Sequence, residues 1–210
     1  MTVDEVVVTI ISGAYFIKGI SNEGCENVMP ITVIINPLPP TPVFTLSRNT
    51  LCQNETLGAS VTNPTTPNTN INWSLPSGAI VLGGGGGPAG FGQGIKLTQI
   101  GANVFTLSYI NSITGCSSSL SRTVTVNPLP QVSAADRTFC RNSGDQQLSP
   151  FGVSPLGGTW SGPNVFGNLF SARPFVREGN YTLTYSFTDV NGCRNSDNAV
   201  VRIINNRTSR

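Results

Sequence analysis

Gly179-Asn180-Tyr181-Thr182-Leu183-Thr184-Tyr185-Ser186-Phe187-Thr188-Asp189-Val190-Asn191-Gly192-Cys193 is the stretch on which the fold turns. Tyr181, Leu183, Tyr185 and Phe187 alternate with polar residues, the period of a strand with one face buried. Asn191-Gly192 offers the positive φ angles of a two-residue hairpin turn. Val200-Val201-Arg202-Ile203-Ile204 then reads as the returning strand.

The same pattern occurs twice more. Gly-Cys pairs stand at Gly24-Cys25, Gly115-Cys116 and Gly192-Cys193. Upstream of the first two lie the alternating runs Ala14-Tyr15-Phe16-Ile17-Lys18 and Val104-Phe105-Thr106-Leu107-Ser108-Tyr109, and Gly13, Gly101 and Gly179 open the three strands. Downstream come Ile31-Thr32-Val33-Ile34-Ile35 and Thr123-Val124-Thr125-Val126, each leading into Asn-Pro-Leu-Pro, at 36–39 and 127–130. After each proline stretch follow Cys-x-Asn (Cys52-Gln53-Asn54, Cys140-Arg141-Asn142) and then Trp-Ser-x-Pro (Trp73 to Pro76, Trp160 to Pro163). Landmarks recurring in one order mark a tandem repeat.

The repeat sets the expected domains. Residues 37–127 and 128–205 are two complete β-sandwich repeats, 1–36 is the C-terminal part of a truncated one, and 206–210 is a tail. Short strands between turn signals imply an all-β fold of tandem immunoglobulin-like sandwiches. Trp73, Trp160, Phe105 and Tyr181 are the expected core aromatics. The prolines fix φ and stiffen the links, so a linear rod is the natural outcome.

Composition narrows the function. Only 10% of the 210 residues are charged, against about a quarter in an average domain. There is no histidine, which excludes Ser-His-Asp and Cys-His catalysis and any His-containing metal site. A net charge of +2 without a basic run argues against nucleic acid as a partner. The longest apolar run, Val6 to Ile11, falls far short of the ~20 residues that span a bilayer, so no membrane insertion is expected. Residues 1–5 carry two acids and no basic residue, unlike a signal peptide; either the chain is cytosolic or it is a piece cut from a secreted protein.

The cysteines favour the second choice. Cys25, Cys52, Cys116, Cys140 and Cys193 are widely spaced with no CxxC pair, which reads as extracellular disulfides, with buried thiols as the alternative. Each complete repeat has one early and one late cysteine. The expected bridges are therefore Cys52–Cys116 and Cys140–Cys193, leaving Cys25 unpaired because its early partner has been cut away. Loops of roughly 50–65 residues would be worth about 4 kcal/mol each.

Cys-x-Asn, Trp-Ser-x-Pro, Tyr-x-Leu-x-Tyr-x-x-x-Asp-x-Asn-Gly-Cys and Val-x-Val-Asn-Pro-Leu-Pro together resemble the PKD-like and immunoglobulin-like repeats of large Bacteroidota cell-surface proteins. These include gliding-motility adhesins and other products of type IX secretion. Gly157 to Pro163 and Tyr181 to Cys193 look more like the immunoglobulin-like version, Asn72 to Gly78 more like the PKD-like one. The resemblance implies a secreted, cell-surface stalk or adhesive fibre, with no catalytic residues or cofactors. Neighbouring repeats of the same polypeptide, and possible surface glycans, are the implied partners. The chain departs from the pattern in its Gly tract and at Asn205-Asn206, which replaces Asn-Pro-Leu-Pro.

Other candidates read as structural. Gly83 to Gly87, with Gly90, Gly92 and Gly94, lacks the Lys-Ser/Thr of a phosphate loop and reads as a flexible connection. Asp189-Val190-Asn191-Gly192 starts like a calcium loop, but the equivalent turns carry no matching acid, and a turn with an Asx bond is the better reading. Phe151, Phe166, Phe170, Phe175 and Tyr181 are core candidates or, on an exposed face, a sugar-stacking platform. Glycosylation triplets at Asn54, Asn72, Asn180 and Asn206 would be idle in a bacterium. No acid pair suggests glycosidase chemistry. The favoured expectation is a non-enzymatic adhesin segment; the alternative is a glycan-binding module of a polysaccharide-degrading enzyme.

Overall fold

Alternation becomes strand throughout. The computed structural model describes residues 11–63, 67–82, 94–150 and 152–205. The Gly tract from 83 to 93, Phe151 and the tail 206–210 lie outside the described residues. Among those described, every regular element is a strand. The first are β1 (Gly13–Ile20) and β2 (Glu26–Val33). Next come β3 (Phe44–Leu46), β4 (Thr50–Cys52), β5 (Thr56–Leu57), β6 (Ala59–Val61), β7 (Thr69–Ser74), β8 (Ala79–Val81), β9 (Ile95–Leu97), β10 (Gly101–Asn111) and β11 (Ser117–Asn127). The last are β12 (Ser133–Ala134), β13 (Arg137–Cys140), β14 (Gly144–Gln147), β15 (Val153–Ser154), β16 (Thr159–Ser161), β17 (Val165–Phe166), β18 (Leu169–Ala172), β19 (Gly179–Thr188) and β20 (Arg194–Ile204).

The pairing repeats as the sequence does. One four-stranded sheet has the order β4-β11-β10-β7 and another β13-β20-β19-β16. In each, the first strand runs parallel to the last: Cys52 lies opposite Asn127, and Cys140 opposite Ile204. In each, the tryptophan strand pairs with the first strand of the long hairpin, Trp73 opposite Leu107 and Trp160 opposite Tyr185. Three-stranded sheets β5-β9-β8 and β14-β18-β17, with the two-stranded pairs β3-β6 and β12-β15, repeat likewise. An early strand parallel to the final hairpin strand, plus a second antiparallel sheet, is an immunoglobulin-like sandwich. β1 and β2 form only the hairpin.

Two compact units are distinguishable, residues 1–44 with 61–74 and 106–121, and residues 45–60 with 75–105 and 122–210. In the first, Phe44 packs edge-on against Trp73 with ring centroids 4.9 Å apart. Tyr109 is fully buried and its hydroxyl donates toward the backbone carbonyl and side-chain oxygen of Asn63; burial pushes that phenol's pKa up. In the second, Leu148, Trp160, Phe170, Ala172, Val176, Leu183, Tyr185, Ala199, Val201 and Ile203 form one core. Leu183 and Tyr185 come from alternate positions of β19, and Ala199, Val201 and Ile203 from alternate positions of β20. Each fully buried large side chain of this kind contributes about 1.5–3 kcal/mol. Of the expected core aromatics, Phe105 and Trp160 are buried, whereas Trp73 and Tyr181 are half-buried.

The last hairpin differs from the expected two-residue turn. Thr188 pairs with Arg194 and the Asp189 amide bonds to the Cys193 carbonyl, so three residues form the loop. Only Gly192 is left-handed, at φ 80°. A type I turn followed by one left-handed residue makes a three-residue hairpin loop, which needs glycine at the final position alone. Asn191 is therefore free to adopt ordinary φ. The Asp189 carboxylate accepts from the amides of Asn191 (2.9 Å) and Cys193 (2.8 Å), which is the Asx turn and leaves that oxygen engaged by backbone.

Each of the strands β1, β10 and β19 carries a further device two residues after its opening glycine. The Tyr15 hydroxyl donates to the Ile11 carbonyl at 2.6 Å, and the Tyr181 hydroxyl to the Arg177 carbonyl at 2.8 Å. On β10 Asn103 occupies that place and its amide donates to the Gln99 carbonyl at 2.9 Å. All three bonds reach four residues back, the arrangement of the tyrosine corner of immunoglobulin-like domains. Asn103 reproduces it with an amide instead of a phenol.

Candidate functional site

The two ends of each long hairpin hold the cysteines. Cys193 follows the turn that precedes β20, while Cys140 lies opposite Ile204 at that strand's other end. Eleven residue steps at about 3.3 Å separate them by roughly 36 Å, whereas bridged Cα atoms lie about 4.4–6.8 Å apart. β11 comes between Cys116 and Cys52 in the same way. The expected Cys52–Cys116 and Cys140–Cys193 bridges are therefore corrected. Cys52 is bonded instead to Cys193, with Cα atoms 5.5 Å apart, and Cys25, Cys116 and Cys140 are free thiols. The bond joins the cysteine that ends β4 to the one that precedes β20.

The Cys-x-Asn motif now has a physical reason. Asn54 and Asn142 are left-handed, at φ 71° and 68°. Asparagine tolerates that region better than other non-glycine residues. Each sits in a turn closed by a bond to the cysteine carbonyl, from Glu55 at 3.0 Å and from Ser143 at 3.2 Å. The turns fix both cysteines at the ends of their strands.

A second feature lies on the sheet β14-β18-β17. A groove of about 330 Å³ is lined by Asp145, Asn164, Phe166, Leu169, Ser171, Arg173 and Phe175. Phe166 and Phe175 are 71% and 75% exposed, while Phe170 of the same sheet is fully buried. The five aromatics grouped together in the sequence thus separate. Phe170 faces the core, stacks on Phe139 (6.1 Å) and meets Tyr181 edge-on (5.7 Å), Phe166 and Phe175 face solvent, and Phe151 lies outside the described residues. The Arg173 guanidinium meets Asp145 through two bonds, at 3.2 and 3.0 Å. This forked pair was missed in the sequence because its members stand 28 residues apart.

Hydrogen bonds from Arg173, then from Ser171, hold the Asp145 pKa below its ordinary aspartate value, and the pair raises that of Arg173 in turn. A depressed folded-state pKa contributes stability present above the unfolded pKa, lost as pH falls through the folded value. The pair is surface-exposed, so the effect on stability is slight. Carboxyl-carbon NMR of the wild type is expected to show Asp145 titrating below ordinary aspartate, and Arg173→Ala to return it upward. An unchanged midpoint in that variant would exclude the pairing as the cause.

No group of three or more acidic or cysteine side chains able to hold a metal occurs among the described residues. Among the described residues no helix is long and apolar enough to cross a membrane.

No family model matches the chain, and no curated protein does. Solved structures do match. The human desmocollin-1 ectodomain aligns at 10% identity over 91% of this chain and 48% of that chain, with a TM-score of 0.29. The insect immune protein hemolin aligns at 15% identity over 91% and 56%, with a TM-score of 0.36. The N-terminal eight immunoglobulin domains of the Down syndrome cell adhesion molecule align at 17% identity over 87% and 27%, with a TM-score of 0.34. The chain spans about half the length of the first such structures. The assignment as all-β and immunoglobulin-like rests on the strand pairing described above.

Proposed function

We propose that this chain is a non-enzymatic segment of a secreted bacterial cell-surface adhesin, a disulfide-stabilised spacer or part of an adhesive fibre. We take residues 37–127 and 128–205 as its whole repeats and 1–36 as the back half of another. The observation that supports the reading is the Cys52–Cys193 bridge, which on this division joins one repeat to the next rather than closing either on itself. Such a bond resists separation of neighbouring repeats under load, which a spacer needs and a free-standing enzyme domain does not. The β1–β2 hairpin supports the truncated-repeat assignment. Phe16, Ile17, Ile20 and Met29 are more than half exposed there, whereas the equivalent long hairpins bury alternate residues. Surface location and the likeness to gliding-motility adhesins belong to this proposal.

The groove favours a second reading, a glycan-binding module. Two exposed phenylalanines beside a forked Asp–Arg pair offer stacking and hydrogen bonding to a sugar ring. A glycan array with the purified chain separates the two. The spacer reading expects no saturable binding. Saturable binding that Phe175→Ala weakens at least ~10-fold, with the fold intact by circular dichroism, would replace it with the second.

A further inference from the structure

We propose that Cys140 is the open half of an inter-repeat staple, whose partner is the hairpin-turn cysteine of another repeat of this kind. In a solution of this chain that partner is Cys25 of a second copy. The inference rests on the tandem-repeat reading and extends it from the bond that is formed to the one still open.

Cys140 reproduces the setting of Cys52 feature by feature. Both end a short strand parallel to the last strand of their repeat. The next amide in each donates to the final strand's terminal carbonyl at 2.8 Å, Gln53 to Asn127 and Arg141 to Ile204. Both are followed by a turn with left-handed asparagine. Cys52 is bonded from this setting, whereas Cys140 is an exposed thiol.

Cys25 in turn reproduces the setting of Cys193. The Ser21 amide bonds to the Cys25 carbonyl at 2.9 Å, as Asp189 does to Cys193 at 2.9 Å. Gly24 and Gly192 bond three residues back, at φ 84° and 80°. The Cys25 amide donates to the Ser21 hydroxyl as that of Cys193 does to the Asp189 carboxylate. Cys116 follows a turn one residue longer, closed by Asn111, and only half exposes its thiol. The matched pair is thus Cys140 with Cys25. Joining unlike ends of identical chains is heterologous and continues without closing unless a ring forms.

The bond requires a two-electron oxidant, here a small disulfide such as oxidised glutathione. The Cys140 thiolate attacks it, expelling one glutathione thiol and leaving a mixed disulfide. The Cys25 thiolate then attacks the Cys140 sulfur and expels the second glutathione thiol. Two protein thiols are oxidised and one small disulfide is reduced.

The test incubates the full chain, its Cys52–Cys193 bridge intact, with oxidised glutathione. Non-reducing gels and linked-peptide mass spectrometry read the products. A ladder of multimers is expected, with Cys140–Cys25 peptides at least ~10-fold above Cys140–Cys140 and Cys140–Cys116. Cys140→Ser and Cys25→Ser should each abolish the ladder, and Cys116→Ser should leave it. Chains capped by glutathione without linkage would overturn the proposal. So would linkages in the proportions found in concentrated urea, where no folded setting selects the partner. Neither outcome depends on whether the chain binds sugar, so this failure and that of the spacer reading are told apart.

Discussion

Replacing Cys52 with Ala is expected to lower the stability of the chain by about 4–5 kcal/mol on the chain-entropy model. The Cys52–Cys193 bridge closes a loop with a sequence separation of 141; loops on the order of 100 residues are worth about 4.7 kcal/mol in the same treatment. At roughly 2–4 °C per kcal/mol for a chain of this size, the thermal midpoint should fall by on the order of 10 °C. Thermal scans by circular dichroism with and without reductant are the check. Reductant should bring the wild type to the variant's midpoint and leave the variant unmoved. Cys116→Ala and Cys140→Ala are surface changes at free thiols and should stay within about 0.5 kcal/mol. If either matched Cys52→Ala, the Cys52–Cys116 or Cys140–Cys193 pairing would be restored and the Cys52–Cys193 bridge refuted.

The distinction shows what one-dimensional reading could and could not supply. Strand alternation in Tyr181 to Phe187 and the three Gly-Cys turns were legible because period-2 burial and left-handed turn positions are local demands on residue type. Equivalence of cysteines was legible too, since Cys52 and Cys140 share the Cys-x-Asn turn. Their partners were not. Pairing depends on which end of a sandwich each cysteine occupies, and that follows from the parallel register of Cys52 with Asn127. One signal was available: an immunoglobulin-like early strand parallel to the final strand places the early cysteine far from the hairpin turn. The Asp145–Arg173 pair left no such signal, because nothing in the spacing of two exposed residues announces a fork. Asn103 could have been found by counting two residues from Gly101, as Tyr15 and Tyr181 stand from Gly13 and Gly179.

Gly158→Ala should cost about 2–4 kcal/mol, although alanine is the smallest change a glycine can undergo. Gly158 needs no left-handed backbone, so the penalty comes from space alone. A Cβ there would stand 2.5 Å from the Ser186 carbonyl oxygen, 2.5 Å from Cζ of Tyr185 and 2.7 Å from its hydroxyl. Tyr185 has no room to retreat, being fully buried and packed against Trp160 at a 5.1 Å ring separation. Its hydroxyl donates to the Pro155 carbonyl at 2.7 Å and accepts the Gly158 amide at 2.8 Å. Overpacking of this kind costs about 1–3 kcal/mol, and a displaced hydrogen bond adds about 1 more. Urea unfolding followed by tryptophan fluorescence measures the loss. Gly157→Ala is the control: its Cβ would meet nothing, and only the left-handed backbone at φ 93° opposes it, at about 1–2 kcal/mol. In a Tyr185→Leu background, Gly158→Ala should lose at least about 1 kcal/mol of its penalty, because the ring it strikes is gone. A penalty equal in both backgrounds would remove Tyr185 from the account and leave the Ser186 carbonyl as the sole obstacle.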